Sequence, residues 1–351
     1  MAPYARRPVS RGAAIAPRTV PCRWRAAAGR QKPGEDWAAT LTRTPQVQLV
    51  PGGTYVLPGT VELPDGCVIL GNGATVTVAE DSYGALAVTA RQDVTIRDVR
   101  FVGRPGGAVD LAPVFAHVGV RLDRSTNVRI LDCDFSGWRG AGVAVTGSRT
   151  DDYFGYRVKL LGNAFVRCYL GVSLADRSEY SIAHDNSFAY CRLAIWNSSG
   201  NWNLTGNDVV GCHGAYYSIA ASSPYGQLTS DNWGHGTVVG NTFNHSNGGT
   251  AERWTTHLEF PVGGSVHDPG PGVVVQGLLP PTFTGNTLWY TDIGAKDLVG
   301  TPWLLSGCTL SNLTVSSTGG PGIHLVGTQA NGAANLPRLV GNVRDLLAGL
   351  A

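Results

Sequence analysis

The chain has 351 residues, 43% of them hydrophobic and only 15% charged, with 47 glycines and 20 prolines. That balance excludes a disordered protein and favours a turn-rich, core-forming β protein, which at this length needs no division into two domains if it grows along one axis. The net charge of +2 hides an asymmetry: eight of the 27 basic residues precede residue 33 with no acidic residue among them, leaving 19 basic against 25 acidic side chains in the rest.

The eight are Arg6, Arg7, Arg11, Arg18, Arg23, Arg25, Arg30 and Lys32. Residues 1–34 therefore read as a basic arm, disordered when unbound. The arm mixes Arg with Ala and Pro and has no apolar h-region, so secretion through a signal peptide is not expected. No window reaches the ~18 apolar residues of a membrane span, and a soluble protein without a membrane partner is expected. Residues 35–45 contain Asp36-Trp37-Ala38-Ala39-Thr40-Leu41, a helical turn suited to capping the open end of a sheet.

From Gln46 the chain alternates apolar residues in short runs: Val47 and Leu49, Tyr55 and Leu57, Val68 and Leu70, Val76 and Val78, Val94 and Ile96, Val99 and Phe101. Pro-Gly, Asp-Gly and Gly-Asn break these runs, the pattern of strands joined by tight turns. From Cys133-Asp134-Phe135 a phrase recurs, a small polar residue followed two positions later by a large apolar one. It returns at Asn163, Asn186, Asn207, Asn241, Asn286 and Cys308, with spacings of 30, 23, 21, 34, 45 and 22 residues. A floor near 21 to 23 with occasional excess implies one coil of three short strands per repeat, an all-β right-handed parallel β-helix over 46–345. Asn at one corner of successive coils tolerates left-handed backbone and bonds to its neighbours above and below, beside a stack of Phe135, Phe165, Phe188 and Phe243. Cys168, Cys191 and Cys212, each three residues after the apolar position, share a column and read as buried thiols. A metal site is the weaker reading because no C-x-x-C pair occurs, and no cofactor is expected.

Insertions fall around 214–282, where Tyr216, Tyr217, Tyr225, Trp233 and Trp254 sit in Gly- and Ser-rich segments. Long loops on a solenoid make its contacts, and Tyr and Trp give large contact area at low entropic cost, so these five are candidate interface residues or a lid over the solenoid itself. Residues 346–351, with Leu346, Leu347 and Leu350, are expected to cap the far end.

No catalytic constellation emerges. Asp151-Asp152 and Gly234-His235-Gly236 resemble pieces of a polygalacturonase signature, but the Arg157-Val158-Lys159 triplet precedes the His and the Asp pair lies more than 80 residues away from it. Glycoside hydrolysis needs two carboxylates about 5 to 9.5 Å apart. Asp93, Asp98 and Asp123 are isolated, and His184-Asp185 has no third partner at repeat spacing, which leaves no acidic cluster for a Ca²⁺-dependent lyase. The residues point away from an enzyme, with a tailspike-like polysaccharide depolymerase or lyase as the alternative.

Val47-Gln48-Leu49-Val50-Pro51-Gly52-Gly53-Thr54-Tyr55, Cys67-Val68-Ile69-Leu70-Gly71-Asn72-Gly73-Ala74, Val99-Arg100-Phe101-Val102-Gly103 and Ala164-Phe165-Val166-Arg167-Cys168-Tyr169-Leu170-Gly171-Val172 resemble, in order, segments of the adenovirus large early transforming protein. The resemblance covers about residues 45 to 215. One branch of that family is the early regulatory protein, which binds host factors; another is the hexon-interlacing capsid protein of atadenoviruses. A short Arg-rich arm in place of long acidic extensions is similar to the capsid branch. The resemblance implies a homotrimer of β-helices that contacts hexon or other capsid proteins on the virion surface, assembled in the host nucleus. The arm would pair with acidic hexon surfaces or act in nuclear import, with no sequence-specific nucleic-acid binding. A nuclear regulatory protein that binds host factors is the other alternative.

Overall fold

Every strand pairing between successive coils in the computed structural model is parallel, and each joins segments about one repeat apart. The structure describes residues 29–147, 155–219, 224–225, 235–246, 260–262, 265–267, 271–277 and 279–347. A representative coil runs through Lys159–Leu161, Ala164–Val166 and Leu170–Ala175, one strand on each of three faces. Faces one and two form a continuous 21-stranded sheet, because strands such as Val68–Val78 and Thr95–Val102 bend across their shared corner; face three is an 11-stranded sheet. The protein is a parallel β-helix. A short antiparallel pair, Phe260–Val262 with Ser265–His267, departs from the repeat.

Period-2 alternation puts one column of side chains from each face into the interior. On face two that column is Val76, Phe101, Phe135, Phe165, Phe188, Val209, Phe243, Leu288 and Leu310. Four of its rings stack at 4.8–5.0 Å with planes 8° apart, from Phe101 to Phe188. Phe243 does not belong to that stack: Val209 intervenes, and the ring lies instead 6.1 Å from Phe283. Close ring packing depends on face three, where Gly142 and Gly171 lie beneath the rings. A Cβ on either would stand 2.7 Å from Cδ1 of Phe165 or Phe188.

The Asn column lies at the corner between faces one and two. Asn163, Asn186, Asn207, Asn241 and Asn286 are buried, and each side-chain oxygen accepts from both the backbone N–H and the Nδ2 of the Asn one coil earlier, at 2.9–3.1 Å. Asn163 lacks such an Asn before it, and its oxygen accepts from Cys133 N–H at 3.0 Å. Each Nδ2 also donates to a carbonyl of the preceding coil, as Asn186 does to Leu160 O. These amides consume the polar groups a buried turn would otherwise leave orphaned. The left-handed residue is not the Asn but the one before it: Asp132, Gly162, Asp185, Gly206, Gly240 and Gly285 all have φ of 53–65°.

Cys168, Cys191 and Cys212 form a second buried column, which Ser246 and Thr291 continue: Cys191 N–H donates to Cys212 Sγ, Cys212 N–H to Ser246 Oγ, and Ser246 N–H to Thr291 Oγ1. The six described cysteines are buried free thiols, and Cys22 lies outside the described residues. Burial pushes Cys67 and Cys133 up to about 12 and Cys308 up to about 11, so these sulfurs stay protonated and inert.

Both ends differ from the sequence expectation. Gly29–Gln31, assigned above to a disordered arm, is a strand paired with Val47–Leu49. It carries no apolar run, and its place is set by backbone pairing and by Tyr55, whose hydroxyl donates to Gln31 O and accepts from Val50 N–H at 2.8 Å each. Helix Trp37–Arg43 follows, N-capped by Asp36, with Trp37 and Leu41 packed into the core. At the far end Leu346 and Leu347 are half or more exposed and do not cover the last coil. At that edge Asp345 stands in register on Leu325, and its carboxylate accepts from Leu347 N–H at 3.3 Å on the exposed side. Residues 348–351 lie outside the described residues.

Candidate functional site

The outer side of face three is covered over its middle coils. Strands Ala141–Thr146, Leu170–Ala175, Leu193–Ser198 and Gly214–Ile219 are buried along their whole length, on both sides. Their outward residues Ala144, Leu170, Leu193, Trp196 and Tyr217 form a second apolar cluster with Tyr169 and Tyr225. Phe115, from the connection between Val102 and Val118, closes edge-on against Tyr225 at 5.9 Å and Tyr169 at 6.3 Å. The strap made by residues 103–117 therefore seals the middle of this face, while outward residues toward its ends, such as Arg121 and Val340, stay exposed.

Charged groups tie the strap down. Asp81 accepts from Arg104 Nε at 2.7 Å and from Arg139 Nη1 at 2.8 Å, while Arg139 Nε and Nη2 donate to Ala112 O in the strap. His117, fully buried and 4.6 Å from the Trp138 ring, accepts from Arg139 N–H through Nδ1. Burial raises Asp81, but hydrogen bonds from Arg104 and Arg139 outweigh it and hold the carboxyl below its ordinary value. Burial pushes His117 down to about 4, aided by the two arginines and opposed by Asp81. The His117–Asp81 approach of 3.7 Å is thus a contact of a neutral imidazole, not an ion pair. Burial also pushes Arg192 beneath the strap down to about 10, against Tyr169, Tyr217 and Asp110, which hold it up.

Three of the aromatics expected at an interface are therefore internal. Tyr216 points into the solenoid core with its hydroxyl near Asn197 Nδ2, and Tyr217 and Tyr225 lie in the sealed cluster. Strand Gly214–Ile219 is a regular coil segment and not part of an insertion, because its alternate residues fill both the core and the outer cluster. Trp233 and Trp254 lie outside the described residues, as do Arg6, Arg7, Arg11, Arg18, Arg23, Arg25, Asp151 and Asp152. Arg30 and Lys32 are exposed at the first coil, where Lys32 N–H donates to Glu35 Oε2.

The exposed surface with distinctive composition is the corner between faces two and three. In register from coil to coil, after a Gly137 that the strap buries, it presents Arg167, Tyr190, Gly211, His245, Tyr290 and Asn312, all seven with left-handed φ of 48–68°. His245 stacks on Tyr290 at 4.7 Å, and Tyr190 leans across Gly211, where a Cβ would stand 2.9 Å from its ring. Beside this ridge runs the outward column of face two, Ser136, Val166, Ala189, Val210, Asn244, Trp289 and Ser311. Val166 is 37% exposed, Val210 42% and Tyr290 43%. At the Arg167 end the ridge meets the strap in a cleft of about 550 Å³ lined by Gly106, Gly107, Asp110, Leu111, Arg167 and Tyr190. No phrase in the sequence marked these residues, since the signal is one residue per coil at a position where residue types vary.

No group of three or more His, Cys, Asp or Glu side chains with metal-binding geometry occurs among the described residues, and no helix there is long and apolar enough to cross a membrane. His184 Nε2 lies 3.1 Å from Asp185 Oδ2 at an exposed turn, with Nδ1 at 2.9 Å from Thr205 O. His235 stands over Gly200, three coils beyond the strand that holds Lys159.

Residues 27–220, more than half of the chain, match the family described as adenovirus EB1 55K protein / large t-antigen. The chain belongs to that family. A curated relative, the E1B 55 kDa protein of human adenovirus B serotype 7, is 22% identical over 175 residues, covering 47% of this chain and 31% of that protein. The chain thus spans about a third of the length of the relative it matches. Among solved structures, endo-xylogalacturonan hydrolase from Aspergillus tubingensis aligns with 12% identity over 92% of this chain and 98% of that one, at a TM-score of 0.48. The catalytic domain of GH87 α-1,3-glucanase in complex with nigerose aligns with 11% identity over 90% and 68%, at 0.45. The pre-mature gene product 12 of bacteriophage phi29 aligns with 12% identity over 81% and 47%, at 0.46. Likeness at this level concerns shape and carries nothing about chemistry.

Proposed function

We propose that this adenoviral protein is a non-enzymatic structural component of the virus particle, a trimeric rod seated on hexons at the virion surface after assembly in the host nucleus. The observation that carries this reading is the unbroken amide ladder from Asn163 to Asn286 beside the stacked phenylalanines. These devices spend the buried polar groups on stiffness along one axis, which suits a clamp that must hold its shape. The basic arm supplies cations for acidic capsid surfaces. Quantitative mass spectrometry of purified virions tests the reading: the chain is expected in stoichiometric proportion to hexon, and its absence would overturn the proposal. Light scattering should give three times the 36.9 kDa chain mass; a stable monomer counts against the trimer.

Membership in a family that includes large t-antigens favours a second reading, a regulatory protein that binds host factors in the nucleus. Recovery of the chain with host nuclear proteins and not with particles would select it.

A further inference from the structure

The ridge and its neighbouring column are self-complementary about one point. Counting coils from Val210 and Gly211, the residues one coil before are Ala189 and Tyr190, and one coil after are Asn244 and His245. Two coils before are Val166 and Arg167; two coils after are Trp289 and Tyr290. We propose that two rods meet along this ridge, antiparallel, about a twofold axis through Val210. Val210 then packs on its own copy, Tyr190 on the partner's His245, and Arg167 on the partner's Tyr290 and Trp289.

Charge decides the direction. A parallel contact in matching layers sets Arg167 against its own copy, whereas the antiparallel contact sets it over an aromatic pair, a favourable cation–π arrangement. Arg167 is exposed at the edge of the strap, where its stem packs on Gly107 and its Nη1 donates to Gly106 O at 3.4 Å, so the antiparallel contact exchanges that long bond for the aromatic pair. The occupant is a second copy of the chain because coil spacing is common to both rods, at about 4.8 Å, so every layer finds a partner. Tyr190, Trp289, Tyr290 and Arg167 are also of the residue types enriched at contact hot spots. One rim residue opposes the contact: Asp208, outward-facing on the same strand as Val210, meets its own copy.

Five coils of about 4.8 Å by a strand and corner of about 13 Å give a footprint of only about 300 Å² per copy. Association is therefore weak and becomes effective where rods are concentrated, as in an ordered array. This contact is separate from any threefold association, and its test does not depend on whether the chain is found in particles.

Cysteine cross-linking under mild oxidant decides it, since the described native thiols are buried. Val210→Cys should form a disulfide-linked dimer on a non-reducing gel. Val166→Cys alone should not, but mixed with Trp289→Cys it should give the heterologous pair. Self-linking of Val166→Cys would mean a parallel contact and overturn the proposal, as would failure of Val210→Cys to link at millimolar chain. Sedimentation supplies the second measurement: Val210→Arg should weaken self-association at least tenfold and Asp208→Asn should strengthen it about threefold. An unchanged association constant in Val210→Arg would likewise overturn it.

Discussion

The two left-handed corners that flank face two solve the same backbone problem with different residues. Before the face, the corner uses Asp98, Asp132, Gly162, Asp185, Gly206, Gly240, Gly285 and Gly307, residues for which positive φ costs little. After the face, the corner uses Gly137, Gly211 and Asn312 in three coils but Arg167, Tyr190, His245 and Tyr290 in four, and for those four the same conformation costs roughly 1–2 kcal/mol each. The first corner abuts the buried amide ladder, where nothing but stability is at stake. At the second corner the strained residues point outward in an exposed ridge, and such strain persists where a surface is kept for contact.

The largest expected effect lies at the inner corner. Asn186→Leu strands Asn163 N–H and takes one partner each from Asn163 Nδ2, Leu160 O and the amide oxygen of Asn207, and should cost about 4 kcal/mol in urea unfolding. A loss below about 1 kcal/mol would mean that the ladder is ornament. Next comes pH dependence at the strap that borders the outer corner. His117 is held near 4 when folded, so the unfolded chain binds the proton first as pH falls through its free value near 6.5. Stability is full above pH 6.5 and should drop by about 3 kcal/mol between there and pH 4. In His117→Gln that particular slope should vanish in thermal melts followed across the range.

Gly206→Ala should cost about 1–2 kcal/mol by denaturant titration, because it forces a Cβ into left-handed backbone and to within 2.9 Å of Asp185 Oδ1. The converse at the outer corner is the smallest effect: Tyr290→Gly relieves that strain while losing the stack on His245, and should change stability by less than about 1 kcal/mol. Equal losses from Gly206→Ala and Tyr290→Gly would erase the distinction between the corners.

Much of the fold was legible because the ladder demands one residue type at one register, and burial keeps that demand constant from coil to coil. Asn163 to Asn286 therefore announced both the period and the corner. The Phe column was less legible: any large apolar residue fits it, so Val209 takes the place of a ring without changing the repeat. Gly142 and Gly171 gave no signal, since their need arises from rings contributed by a later strand on another face. The ridge was invisible for the same reason, as was the inward position of Tyr216 against the outward one of Tyr217.

By itself the chain determined its period, its three short strands per coil and the buried Asn corner, because those follow from local alternation and from amides that bond only to their own kind one coil away. Tertiary structure alone decided that Gly29–Gln31 joins the solenoid and that residues 103–117 seal the middle of face three. It also decided that Arg167, Tyr190, His245 and Tyr290 share an edge. These outcomes depend on groups far apart in the chain, such as Asp81 and Arg139, whose meeting has no periodic trace and becomes defined only when the coils are stacked.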